Sequence, residues 1–113
     1  MSTEERTALM LAYITCATVE EASTIGERLV SERLAACVNI LPGMRSLYWW
    51  QGVVTSSSEA VLIAKGPQAL AERLTERVRQ LHSYQCPCVL ILPVAGGNPA
   101  YLEWLAGVVR PPG

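Results

Sequence analysis

Aspartate is absent from this 113-residue chain, and histidine occurs only once. The ten acidic residues are therefore all glutamates. That excludes calcium or magnesium loops built on aspartate and a Ser-His-Asp triad in its usual form. Glutamate can stand in for the triad aspartate, but no serine here occupies a nucleophile motif. No glycine-rich phosphate loop of the Walker or dinucleotide type is present. Nothing supplies an obvious reaction, so the chain reads as a non-enzyme.

Charge of one sign is also lacking. Nine Lys and Arg against ten acids leave a net −1. No basic stripe would draw in a nucleic acid or an anionic membrane. Long apolar runs are missing too: stretches such as Val89–Ala95 fall far short of the ~20 residues of a membrane span. The opening MSTEERTALML is acidic and lacks the basic start of a secretory signal. The expectation is a soluble, cytoplasmic protein. Its four cysteines then read as reduced thiols or metal ligands rather than a disulfide framework.

What is present is apolar residue in surplus, half the chain. A chain of this length forms one domain with one core. The expected domain is 1–113, with 1–7 and 107–113 frayed. Leu9–Thr15 is a strand. Thr18 and Glu21 form a capping box, and Val19, Ala22, Ile25, Gly26, Leu29 and Val30 make one stripe of a four-turn helix. Cys37–Leu41 is a strand closed by Pro42-Gly43. A hairpin follows, Arg45–Trp50 and Val53–Lys65, turning at Gln51-Gly52 and loosened at Ser56–Glu59. Pro67 takes the first position of a second helix whose stripe is Leu70, Leu74, Val78 and Leu81. Cys86–Val94 reads as a strand buried on both faces. Asn98-Pro99 caps a short last helix, Ala100–Leu105.

This order is the α+β, ferredoxin-like βαββαβ sandwich, with a long β-hairpin and an extra C-terminal helix. Its helices cover one face of the sheet. The other face, with Tyr48, Trp49 and Trp50 nearby, needs a cover, and a further copy of the chain is the economical one.

Five groups of residues carry candidate chemistry. Cys16 ends the first strand ahead of a helix N-terminus, where free amides can favour thiolate; it is equally a small buried residue. Cys37 sits among small apolar residues and reads as core. His82 ends the second helix, where an imidazolium would answer the helix dipole. Cys86 and Cys88 can face one way on a strand, and with His82 can hold a soft ion such as Cu(I); they are equally a tight strand start. Tyr48, Trp49, Trp50, Lys65 and Tyr84 either line a polar–aromatic pocket or serve as packing.

Several ordered segments resemble the CutA family of divalent-cation tolerance proteins: ERLAACVNILPG over 32–43, SLYWWQG over 46–52, Lys65, HSY over 82–84, Pro87, LPV over 92–94, and GNPAYLEW over 97–104. The likeness covers roughly residues 9–106. It implies a ferredoxin-like homotrimer knitted by its hairpins, with tolerance to divalent metals, copper especially. It implies Cys16 and His82 as copper-ligand candidates. It also implies clefts between subunits near Trp50, Lys65 and Tyr84, able to hold a ligand or partner. The chain departs from the family at Ser83, where proline is usual, at Gln85, often glutamate, and at Cys88, usually glutamate. Sulfur at position 88 favours a soft ion if that position faces metal, so Cys88 joins the metal candidates.

Overall fold

The computed structural model describes residues 7–110. Strand β1 (Leu9–Cys16) leads into helix α1 (Val19–Ser31). The long strands β2 (Cys37–Trp50) and β3 (Val53–Pro67) follow, then helix α2 (Ala71–Leu81), strand β4 (Val89–Pro93) and helix α3 (Pro99–Gly107). The four strands form one antiparallel sheet in the order β2-β3-β1-β4. This is the expected split βαβ arrangement with its extra helix.

Alternation along the strands divides the two faces. Met10, Ala12, Ile14 and Cys16 of β1 and Ala60, Leu62 and Ala64 of β3 are buried against α1 and α2. The helices contribute Ala22, Ile25, Leu29, Leu74 and Val78. Burying each large aliphatic side chain contributes about 1.5–3 kcal/mol. Gly26 lets α1 approach the sheet closely, since a Cβ there would meet Val38 Cγ2 at 3.0 Å and Leu62 Cδ1 at 3.1 Å. The opposite face stays open: Leu41, Leu90 and Leu92 are all about half exposed.

The hairpin turns on Gln51 and Gly52, both at positive φ, as a two-residue turn with the strands' own twist requires. It makes the molecule elongated, 53 Å by 26 Å by 22 Å. Trp49 near its tip is 75% exposed.

Four expectations are corrected. Ser56–Glu59 is not loosened: it pairs regularly with Met44–Leu47. The irregularity lies in the other arm, where Leu41 faces Val61 but Met44 faces Glu59, so β2 carries one extra residue. Pro42, which has no N–H, and Gly43 at φ 73° accommodate that bulge. Pro67 is not the first helical residue, because its ψ of 134° still belongs to the strand; a 3₁₀ turn, Gln68–Leu70, comes between. The last strand begins at Val89 rather than Cys86 and pairs only with β1. Pro87 cannot donate to the ladder, and an edge strand over an open face is not buried on both sides. Residues 107–110 are not loose: Gly107 ends α3, and Arg33 Nη1 donates to the carbonyls of Val108 (3.2 Å) and Arg110 (3.3 Å). The fraying expected at 1–6 and 111–113 lies outside the described residues.

Candidate functional site

Two clusters sit back to back where β1 meets the segment between α2 and β4. The first is on the helix-covered side. Thr18 caps α1 by accepting the Glu21 N–H at 3.0 Å. The Glu21 carboxylate reaches back one residue further than a capping box does, and Oε1 accepts from the Ala17 N–H at 2.9 Å. Its Oε2 accepts from the Ser83 N–H, also at 2.9 Å. One carboxylate thus joins the start of α1 to the end of α2. Burial works to raise its pKa, but the hydrogen bonds from Ser83 and Ala17 outweigh this and hold it below the usual carboxylate range.

His82 caps the C-terminus of α2, its N–H donating to the Val78 carbonyl at 2.9 Å. Its ring is fully enclosed. Nε2 lies 2.7 Å from the Thr15 carbonyl, and the Tyr84 N–H donates to Nδ1 at 3.0 Å. A ring nitrogen that accepts from an amide carries no proton, so Nε2 holds it and donates to Thr15. The geometry is that of a neutral imidazole. It does not match the imidazolium expected to answer the helix dipole.

Cys16 completes this cluster. Its Sγ, a Glu21 oxygen and a His82 nitrogen all lie within 4.8 Å of one another. The thiol is not poised as thiolate. Burial first, then the charges of Glu21 and Glu59, push it up to about 12. At the start of α1 the Ala17 and Glu21 amides are taken by the Glu21 carboxylate and the Thr18 hydroxyl rather than by the thiol.

The second cluster lies on the open side. Tyr13, Thr15, Met44, Tyr48, Trp50, Glu59, Tyr84, Cys86 and Cys88 line a groove of about 1100 Å³ beneath the hairpin. The Tyr84 hydroxyl donates to Glu59 Oε2 at 2.8 Å. Burial and that carboxylate raise the Tyr84 pKa well above its ordinary value. The Tyr13 hydroxyl donates to Met44 Sδ at 3.4 Å.

The structure therefore sorts the sequence candidates. It brings Cys16 and His82 together. Cys88 lies apart from them, in the groove with Cys86. Trp50 and Tyr84 share the groove. Lys65 does not: it is six residues along β3 from Glu59, about 20 Å in an extended chain. Its Nζ donates to the Tyr101 hydroxyl at 3.2 Å and sits 5.5 Å from that ring's centre. Cys37 is half-buried on β2. Sequence reasoning used Glu21 only as a cap and missed it as a donor; its spacing from Thr18 was the available signal. Glu59 was missed altogether, and only the strand register reveals it.

Fold and groove together define a ferredoxin-like α+β protein with a projecting β-hairpin arm. The family model of the CutA1 divalent ion tolerance protein matches residues 10–108. A divalent-cation tolerance protein CutA from Thermus thermophilus is 49% identical over 95 residues, 84% of this chain and 92% of that one. Its solved structure superposes with a TM-score of 0.86 at 45% identity, covering 88% of this chain and 97% of the other. A chloroplastic CutA 1 from Oryza sativa is 42% identical over 96% of this chain. The match spans 62% of that rice protein and 56% of an Arabidopsis thaliana relative. The rice crystal structure gives a TM-score of 0.86 at 43% identity, over 88% of this chain and 92% of that one. The chain belongs to the CutA1 divalent ion tolerance family. An Archaeoglobus fulgidus relative is described as periplasmic, so compartment varies among relatives. Among the described residues no helix is long and apolar enough to cross a membrane.

Proposed function

We propose that this chain is a cytoplasmic, homotrimeric, non-catalytic metal-tolerance protein that binds copper or similar ions through Cys16 and His82, with Glu21 as a third donor. The observation that carries the metal reading is the convergence of these three ligand atoms within 4.8 Å. Thiolate and imidazole suit soft and borderline ions, while the carboxylate adds charge. Self-association is supported by the open sheet face, where Leu41, Leu90 and Leu92 have no cover among the described residues.

Loading this site has a cost that the geometry names. The Cys16 proton must leave, and His82 must release Thr15 or Tyr84. Metal therefore competes with protons and with one of the two internal hydrogen bonds of His82. The test is anaerobic Cu(I) titration of reduced protein in which Cys86 and Cys88 are already serine. Adding Cys16→Ser and His82→Ala is expected to weaken binding at least 100-fold. Equal affinity with and without those two changes sinks the assignment.

A second reading rests on the groove. The Glu59–Tyr84 pair at its floor, flanked by Tyr48 and Trp50, suits an organic ligand with an aromatic or cationic part, making the protein a small-molecule sensor or scaffold. A ligand that binds the native state raises the melting temperature by mass action. Thermal-shift screening of metabolites beside metals separates the two readings. Stabilisation by metals alone counts against this one.

A further inference from the structure

Neither reading gives Cys86 or Cys88 a role, yet both are free thiols on residues that line the groove. Cys86, at the end of a bend, is exposed and Cys88 is half-buried, and Pro87 between them biases Cys86 toward extended backbone. Two residues apart in an extended chain place their Cα atoms about 6.6 Å apart on one side. An ion with two metal–sulfur bonds of about 2.3 Å separates its sulfurs by about 4.6 Å. Two thiols on one side at this spacing can therefore share one ion without moving the backbone.

The surroundings point to the same class of ligand. Met44 Sδ lines the same groove, so three sulfur-bearing side chains meet one space. Thiolate and thioether donors select soft, low-coordinate ions. The one competing carboxylate, Glu59, is already engaged by the Tyr84 hydroxyl. His82, two residues before Tyr84, does not line the groove: its ring is enclosed on the helix-covered side with Cys16 and Glu21.

We propose that Cys86 and Cys88 form a second metal site, open to solvent and separate from Cys16 and His82, that takes one soft monovalent ion of the Cu(I) type per chain. Each thiol releases its proton as its sulfur–metal bond forms, so loading liberates two protons and changes no oxidation state. Met44 supplies a weak third contact. Neither thiol holds a hydrogen bond among the described residues, so this site fills ahead of the enclosed one.

The test is an anaerobic competition titration of the full chain with Cu(I) against a chromophoric Cu(I) chelator. Four proteins are compared: wild type, Cys86→Ser/Cys88→Ser, Cys16→Ser/His82→Ala, and Met44→Leu. The first equivalent should bind at least 100-fold more weakly in Cys86→Ser/Cys88→Ser, and unchanged in Cys16→Ser/His82→Ala. Met44→Leu should lose about tenfold or less. One equivalent of Cu(I) on wild type should protect Cys86 and Cys88 from alkylation while leaving Cys37 reactive. The proposal is overturned if Cys86→Ser/Cys88→Ser keeps the wild-type affinity for the first equivalent, or if both thiols still alkylate in the loaded protein. Failure of the Cys16–His82 reading shows separately, as loss of nothing when those two residues are replaced in the serine background.

Discussion

The Tyr84 amide donates to Nδ1 of His82, two residues earlier, at 3.0 Å. The loop after α2 thus closes on the imidazole at its own start. Nε2 then holds the last open-face carbonyl of β1, Thr15. The ring works as a bridge between a helix end and a strand end. Its removal orphans one amide and one carbonyl. Leaving such groups unsatisfied costs about 1–3 kcal/mol each, so His82→Ala is expected to lose on the order of 2–6 kcal/mol in urea denaturation. A loss under about 0.5 kcal/mol, typical of a surface change, would show that the bridge carries no stability.

Acid stability should track Glu21. Its native pKa lies below the unfolded value of 4.5. The unfolded state then binds its proton first as pH falls. The stabilisation is complete above the unfolded value and is lost as pH drops through the depressed native one. Glu21→Gln should therefore flatten the melting-temperature profile below about pH 4.5. An unaltered acid limb in that variant would assign the dependence to other carboxylates.

Alkaline stability should track Cys16. Burial first, then the charges of Glu21 and Glu59, push its native pKa up to about 12 from the ordinary thiol value of 9.0. The unfolded thiol ionises first as pH rises, so stability present at neutral pH is lost between about 9 and 12. Cys16→Ala should lack this loss. The same burial predicts an order of reaction with iodoacetamide at pH 8, read by mass spectrometry: exposed Cys86 first and buried Cys16 last. Modification of Cys16 as fast as Cys86 would contradict the enclosed position.

Charge on the open face should separate assembly from folding. Leu90 is 58% exposed in one chain, so Leu90→Glu should change the stability of a single chain by no more than about 0.5 kcal/mol. In an assembly that buries this face, an unpaired carboxylate there is costly. Sedimentation should then show smaller species than wild type at equal concentration. Identical sedimentation would leave β4 outside the interface.

The order of elements was legible in the sequence because periodicity reports which face meets the core. The α1 stripe and the Leu74–Val78 stripe of α2 fall where expected. Boundaries next to proline were less legible. Pro42, Pro67 and Pro87 each looked like a stop or a start. In the fold they become a bulge, a strand end and a gap before a strand, according to what neighbouring strands can pair with. The site was half legible. Cys16 and His82 are 66 positions apart, and the family likeness, rather than spacing, joined them. Lys65 and Tyr84 looked like neighbours, but six strand residues separate Lys65 from the groove floor. Local spacing cannot report where two elements cross.

The extra residue at Pro42-Gly43 also sets a parity. Before it, the residues of β2 on the groove side carry odd numbers, Cys37, Asn39 and Leu41, opposite Lys65, Ile63 and Val61. After it they carry even ones: Met44, Ser46, Tyr48 and Trp50, opposite Glu59, Ser57, Thr55 and Val53. Excising one residue there would exchange the two sides of the arm's first strand. Trp49 would turn toward the groove and Trp50 away, and Met44 would leave Tyr13 and the two thiols. A single backbone insertion thus decides which tryptophan, and which sulfur, the groove receives.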